Sequence, residues 1–340
     1  MIVKKNEGIE FLRLCATIGV IVNHIGICWI SYFGSTANDN AILLFRTING
    51  LAYWPVPIFM MISGFLLLSK QEVDYSASFK YFKRISVLLI LFGTFFALME
   101  LLFQTKYISL EIFATALKNM LEGNSWKHLW YLYMLLGIYL ILPMLKALIT
   151  PPNKISKTIN MVLLIFCFNS FLPYINCQIG IDFPIDSIYV GYFLLGYMLM
   201  NEDCQKWSER WLTNRVCEIG IILLFALIVI GIYSHCKKGF SGYQCPFTVI
   251  QAMLIYVLVM RNKQRLEKLA NSKCFKNFNR CSLGIYILHM LWINIIIKVL
   301  HVNIMDASIG IIFVMLLIIV GLSWISTAVL LKIPILNRYL

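Results

Sequence analysis

The chain has 340 residues, of which 60% are hydrophobic and only 13% are charged. Soluble domains average roughly half apolar residues and about a quarter charged ones, so this composition excludes a water-soluble fold. The formal net charge of +13 would suit nucleic-acid binding, but basic residues of membrane proteins usually collect in cytoplasmic loops and fix the orientation of the chain. Composition therefore favours a membrane protein over a nucleic-acid-binding protein.

Apolar segments of membrane-spanning length recur along the whole sequence. A helix needs about 20 apolar residues to cross the hydrocarbon core, and ten segments are candidates, of which the sixth and eighth are short. They are 9–30, 50–68, 84–103, 129–149, 158–176, 186–201, 215–234, 246–260, 281–300 and 308–331. We predict an all-α polytopic integral membrane protein in which residues 1–340 form a single transmembrane domain.

The basic residues are distributed unevenly between the loops that join these segments. With the N-terminus placed in the cytoplasm, most of the 29 lysines and arginines fall on the cytoplasmic side. The exceptions are Arg46, Lys106, Lys118, Lys127, Lys237, Lys238 and Lys298. This asymmetry, together with an even number of spans, predicts that both termini are cytoplasmic.

The 10 cysteines give no sign of a metal site, because they form no C-x-x-C pair and no zinc-like spacing. Most lie in apolar segments, where a thiol behaves as a small hydrophobic group. We therefore expect no bound metal. Only Cys236 and Cys245, on either side of one short loop, are placed to form a disulfide, and only if that loop faces an oxidising compartment.

Ionisable side chains inside apolar segments are costly in a bilayer and commonly face a cavity, so Arg13, His24 and His289 are the first functional candidates. The spacing of Arg13 and His24 returns them to nearly the same helix face, about 16 Å apart along the axis. One extended ligand with an anionic end at Arg13 and a reactive end at His24 fits this spacing. Arg13 is also close enough to the helix start to snorkel to the interface, and a lone histidine is often a hydrogen-bonded core residue.

Two further groups lie near the cytoplasmic ends of the next two spans. The Ser63-Gly64 step interrupts the second span and suits either ligand contact or close helix packing. Lys80, Lys83 and Arg84 open the third span. They suit phosphate binding, although orientation of the chain alone explains most basic runs of this kind.

In the ninth span, Ser282, Tyr286 and His289 share one helical face because they are spaced by four and three residues. Such a polar stripe usually stabilises helix contacts, but an intramembrane histidine with Tyr and Ser neighbours can also move protons or orient a substrate. His128 and Trp130 lie at the opposite, outer surface. Their aromatic surroundings suit interfacial anchoring as well as stacking on sugar rings.

In this order, the motifs resemble the membrane acyltransferase-3 family, whose members O-acylate bacterial cell-surface glycans. Arg13, ten residues and His24 are similar to the Arg-x10-His signature of that family, and Pro57-Ile58-Phe59 with Ser63-Gly64-Phe65 is similar to its second span. Arg84 falls at the start of the third span, where the family carries basic residues. The Arg-rich form of the family is reduced here to Lys80, Lys83 and Arg84.

Two later motifs extend the resemblance over nearly the whole chain. His128-Leu129-Trp130-Tyr131-Leu132 is similar to the His-Leu-Trp-Phe segment of the family, and Ser282 to His289 resembles its Ser-x-x-x-Tyr-x-x-His pattern. Length and motif spacing resemble most the short members without an appended periplasmic domain, such as those that acetylate enterobacterial common antigen.

The resemblance implies a membrane O-acyltransferase of the bacterial cytoplasmic (inner) membrane. Its donor would be acyl-CoA, most simply acetyl-CoA, and its acceptor a hydroxyl of a cell-envelope glycan or lipid-linked saccharide. The implied catalytic residues are His24 and His289. The implied donor-binding residues are Arg13, Lys83 and Arg84, and the implied substrate-binding or orienting residues are Ser63, His128, Trp130, Ser282 and Tyr286.

Two other functions fit the same residues. In a transporter or flippase, Arg13 and His24 would bind an anionic substrate and protons during alternating access. The two halves show no clear pair of matching interrupted helices, which weakens that alternative. In a purely structural membrane protein the polar residues would only join helices, and the ordered set of motifs argues against it.

Overall fold

The computed structural model describes residues 6–105, 109–149, 154–177, 185, 187–234, 239–302 and 309–340. Over these ranges the secondary structure is helical, with no strand. The first seven helices are α1 (Glu7–Phe33), α2 (Asp39–Leu51), α3 (Pro55–Leu68), α4 (Tyr75–Leu88), α5 (Thr94–Thr105), α6 (Leu110–Leu121) and α7 (Trp130–Leu148). The others are α8 (Lys154–Phe166), α9 (Leu172–Tyr174), α10 (Ile188–Leu199), α11 (Glu202–Trp211), α12 (Asn214–Tyr233), α13 (Pro246–Arg261), α14 (Glu267–Asn271), α15 (Lys273–Asn294), α16 (Ile309–Leu330) and α17 (Pro334–Tyr339).

The all-α membrane class predicted from the sequence is confirmed. Within the described ranges, 8 helical segments are long and apolar enough to cross a bilayer. The sixth and eighth predicted spans correspond to α10 and α13, which are apolar but have only 12 and 16 residues. The orientation of the termini stays a prediction.

Some segments that resembled loops in the sequence are helical. Most of α2 lies between the first two predicted spans, and this helix begins where the Asn38 side chain accepts a hydrogen bond from the main-chain nitrogen of Ala41 at 2.8 Å. Asn201 caps the polar helix α11 in the same way, through the main-chain nitrogen of Asp203. Residues that favour turns also cap helices, so the sequence pattern alone left these elements out.

The helices divide into two compact units. Unit 1 comprises Met1–Gln71 and Pro151–Ile325, and unit 2 comprises Glu72–Thr150 and Ser326–Leu340. Cys236 lies outside the described residues, so its pairing with Cys245 stays a prediction.

In unit 1, α3 and α10 approach each other at two glycines. A Cβ atom built on Gly64 would lie 1.7 Å from the main-chain oxygen of Phe193, and one built on Gly196 would lie 2.0 Å from that of Met61. No side chain fits at either position, so the two backbones are in direct contact. Close packing through small residues is a common way to hold helices together where lipid removes the hydrophobic driving force.

Helix α1 packs against α2, α3, α13 and α15 of the same unit. The buried Asn23 side chain donates a hydrogen bond to Asn49 Oδ1 of α2 at 2.6 Å. Gly19 leaves room for Pro55 of α3, since a Cβ there would lie 2.6 Å from the proline ring. These contacts fix α1 around the position of His24.

In unit 2, α4 packs against α7, and α5 packs against α6. The buried Ser78 hydroxyl donates to the main-chain oxygen of Tyr139, which ties α4 to α7. Near the end of α6, the main-chain oxygen of Met120 accepts a hydrogen bond from the hydroxyl of Tyr133 in α7. Hydrogen bonds between helices therefore supplement apolar packing in this unit.

Candidate active site

The two histidines singled out in the sequence are in direct contact. Nδ1 of His24, in α1, lies 2.9 Å from Nε2 of His289, in α15. The ring centroids are 4.9 Å apart and the ring planes differ by 36°. His289 is fully buried and His24 is partly buried. Residues that are 265 positions apart in the chain thus form one imidazole pair.

The partners of the pair determine where its protons lie. Nδ1 of His289 is 2.5 Å from the main-chain oxygen of Tyr286, and a carbonyl only accepts, so this nitrogen carries a proton. Neutral His289 therefore accepts at Nε2, and His24 donates from Nδ1. Neutral His24 then carries its lone pair on Nε2, the nitrogen that can act as a base.

The polar stripe of α15 continues from this pair towards the start of the helix. Tyr286 is buried with its ring 5.8 Å from that of His289, and Ser282 is partly buried. The sequence analysis missed Asn279, three residues before Ser282 on the same face. Asn279 is buried, and neither of its side-chain polar atoms has a hydrogen-bond partner among the described residues.

Helices α1 and α15 run in the same direction. Gly8 lies beside Lys263, which precedes α15, and the Tyr32 hydroxyl near the end of α1 is 3.5 Å from Nδ1 of His301, which follows it. The rise of an α-helix places Arg13 about 16 Å before His24 and Asn279 about 15 Å before His289. Arg13 and Asn279 are therefore at a similar depth, on the side of the pair where both helices begin.

The Ser63 hydroxyl forms a hydrogen bond within its own helix, to the main-chain oxygen of Phe59 at 2.8 Å. The neighbouring Gly64 packs against the main chain of α10. A serine that bonds back to the preceding turn is common inside membrane helices. For this motif, the structure shows helix packing.

The basic candidates of unit 2 lie on α4. Lys83 is exposed. Arg84 donates from Nε to the main-chain oxygen of Tyr339 at 2.7 Å and from Nη2 to that of Leu340 at 2.8 Å. In this structure, the Arg84 guanidinium thus anchors α17 to α4.

In unit 2, His128 lies in the 3-10 turn Lys127–Leu129, and Trp130 begins α7 directly after it. His128 is 2% exposed, and its ring lies 5.6 Å from that of Phe96. Phe96 in turn stacks on Trp126 with centroids 4.4 Å apart, and the indole nitrogen of Trp126 donates to Glu100 at 3.2 Å. Trp130 is partly buried against Tyr131. An aromatic cluster with one carboxylate therefore surrounds the His128 motif.

Two polar residues of α13 also escaped the sequence analysis. Thr248 and Gln251 are fully buried in unit 1, and their side-chain polar atoms have no hydrogen-bond partner in the described part of the chain. Their only signal in the sequence is a polar residue within an apolar span, which marks costly positions in membrane helices. Across the described ranges, no group of three His, Cys, Asp or Glu side chains is arranged to hold a metal ion.

Comparison with known proteins identifies the family of the chain. The acyltransferase-3 family, described as an acyltransferase domain, matches residues 6–328 and so includes the histidine pair. The chain is also 26% identical over 252 residues to "Putative acetyltransferase ORF330" of Acidianus two-tailed virus, covering 69% of this chain and 72% of the viral protein. No solved structure matches the chain with significance. Because the family match extends over nearly all of the sequence, this protein is a membrane-embedded member of the acyltransferase-3 family.

Proposed function

We propose that this protein transfers an acyl group, in the simplest case acetyl, from cytoplasmic acyl-CoA to a hydroxyl of a cell-envelope glycan or lipid-linked saccharide. We place it in the bacterial inner membrane, with both termini in the cytoplasm. The observation that carries the proposal is the contact between His24 and His289. Paired imidazoles inside a membrane bundle offer acid and base chemistry that helix packing alone does not require.

The tautomers of the pair suggest how the transfer proceeds. Nε2 of His24 takes the proton of the acceptor hydroxyl while the oxygen attacks the thioester carbonyl. The carbon–sulfur bond then breaks, and the departing sulfur takes the proton from His24, so the products are an ester and a thiol. While His24 carries the extra proton, its Nδ1 hydrogen bond to His289 stabilises the positive charge, and Tyr286 holds His289 in the tautomer that accepts this bond.

We propose that the donor extends from the pair towards Arg13. The Arg13 guanidinium would contact a phosphate of the acyl donor. The Asn279 amide, which can both donate and accept hydrogen bonds, would bond the polar arm of the acyl donor. Ser282 and Tyr286 border the same stretch of α15 and are proposed to orient the thioester. In unit 2, Lys83 and Arg84 remain proposed phosphate contacts, although two nitrogens of Arg84 already bond α17.

For the acceptor, we propose that the aromatic side chains around His128 contact sugar rings. Trp130 and Trp126 offer flat apolar faces with a polar edge, which suits the alternating surface of a sugar. Ser63 is proposed only to hold α3 in place, since the packing at Gly64 explains its motif.

Purified full-length protein in liposomes, supplied with acetyl-CoA carrying a labelled acetyl group and with extracted envelope glycan, tests the proposal. We expect label in the glycan as an ester that mild base releases, with one thiol formed for each ester. The glycan of cells lacking the protein should lose the same acetyl mass. Glycan that crosses the membrane without gaining acetyl groups would instead identify a flippase and contradict the proposal.

A further inference from the structure

A second polar site lies in unit 1, away from the histidine pair. A partly open cavity of about 160 Å³ is lined by the end of α10, by α11 and by the last turns of α13. The same kind of volume for a single water molecule is only about 10–15 Å³, so the cavity is large enough for a small ligand group. Its polar lining consists of Gln205, Ser208, Glu209, Tyr256, Arg261 and Lys263.

Two of the lining residues carry buried donors that have no hydrogen-bond partner among the described residues. Tyr256 is fully buried, and its hydroxyl has no hydrogen-bond partner among the described residues. Arg261 donates from Nη1 to the main-chain oxygen of Leu212, but its Nη2 is buried and has no partner within the same ranges. A buried donor left unsatisfied destabilises a fold, and more so when it belongs to a charged group. Both residues line the cavity.

The charges of the lining define the ligand. Arg261 and Lys263 supply two cations, Tyr256 supplies a hydroxyl donor, and Glu209 supplies the single carboxylate. The Ser208 hydroxyl already donates to the main-chain oxygen of Gln205. Guanidinium, ammonium and hydroxyl donors together match the oxygens of a phosphate. We propose that this cavity binds a phosphate ester, and that the phosphate belongs to the nucleotide end of the acyl donor.

The position of the cavity supports this choice of ligand, which rests on the proposed function. Met260 and Lys263 line the cavity and also touch α1, because a Cβ on Gly8 would lie 3.0 Å from the Met260 sulfur and 3.3 Å from Lys263 Cβ. The cavity therefore adjoins the start of the helix that carries Arg13 and His24. His24 lies about 24 Å further along that helix, so phosphate and acyl group would sit at opposite ends of one extended donor.

Binding of adenosine 3′,5′-bisphosphate, which has the phosphates but no acyl group, tests the site independently of acyl transfer. The full-length protein is placed in nanodiscs of phosphatidylcholine, and the dissociation constant is measured by calorimetry. We expect Tyr256→Phe and Arg261→Gln each to weaken binding by about tenfold or more, since each loses a hydrogen bond to a charged group. Glu209→Gln should strengthen binding, because it removes the carboxylate.

Tyr256→Phe separates binding from folding, because deleting an unsatisfied buried hydroxyl should leave thermal stability unchanged or raise it. Tyr233→Phe, on the exposed side of α12, is the matched control and should bind as the wild type does. If phosphatidylglycerol competes with the probe in the wild type but not in Tyr256→Phe, the cavity is a phosphate site whose natural source is a lipid headgroup, and the assignment to the acyl donor is wrong. If the probe does not bind, or if all variants bind it equally, the site is wrong even where acyl transfer is intact.

Discussion

Replacing His24 by alanine is expected to lower the rate of acyl transfer by about 10²- to 10⁴-fold, the range over which a positioned general base contributes. The substitution removes the nitrogen that accepts the hydroxyl proton, while the surrounding contacts of Asn23 and Gly19 remain. The measurement is the initial rate of labelled ester formation in liposomes, normalised to the amount of folded protein.

His301→Ala is the matched control for this experiment. His301 is exposed and its ring lies beside Tyr32, at the far end of α1. Loss of this histidine should leave the rate near that of the wild type. A His24→Ala protein that is folded and still transfers acyl groups at the wild-type rate would remove the base from the mechanism.

Replacing Gly64 by alanine is expected to destabilise the fold by at least the ~1–3 kcal/mol typical of overpacking. The added Cβ would lie 1.7 Å from the main-chain oxygen of Phe193, and a main chain cannot rotate away as a side chain can. The measurement is the fraction of monodisperse protein that remains after heating in detergent, followed by size-exclusion chromatography.

Gly321→Ala provides the comparison, because a Cβ at Gly321 of α16 would meet nothing within 4 Å. Alanine favours a helix over glycine by about 1 kcal/mol, so this variant should be as stable as the wild type or more so. Equal heat resistance of the Gly64 and Gly321 variants would show that α3 and α10 are not packed as described.

The membrane class and most of the spans were predictable from the sequence because hydrophobic length is a local property. Helices α2 and α11 were not predicted, because their polar caps resemble turn residues and because α11 is polar rather than apolar. For Ser63-Gly64, two interpretations were open. The packing interpretation depends on Gly196, which is more than a hundred positions away, so the sequence around Ser63 gave no sign of this contact.

The candidate site was predictable only in part, for a similar reason. Helical spacing placed Arg13 and His24 on one face of α1, and Ser282, Tyr286 and His289 on one face of α15. Spacing within a helix does not show which helices meet, so the contact between His24 and His289 could not be predicted. In the sequence, Tyr256 and Arg261 resemble an ordinary core aromatic residue and an orienting cation. Only the structure shows that both line a cavity and carry buried donors without a partner among the described residues.

The central claim is that His24 and His289 act as one catalytic unit, and a double-mutant cycle on the rate of acyl transfer tests it most directly. The four proteins are the wild type, His24→Ala, His289→Ala and the double variant, compared at equal amounts of folded protein. Residues that work together lose activity non-additively, so we predict that the double variant transfers acyl groups about as slowly as His24→Ala alone. The claim would be contradicted if the rate loss of the double variant equalled the product of the two single losses. It would also be contradicted if the His289→Ala protein kept the full wild-type rate.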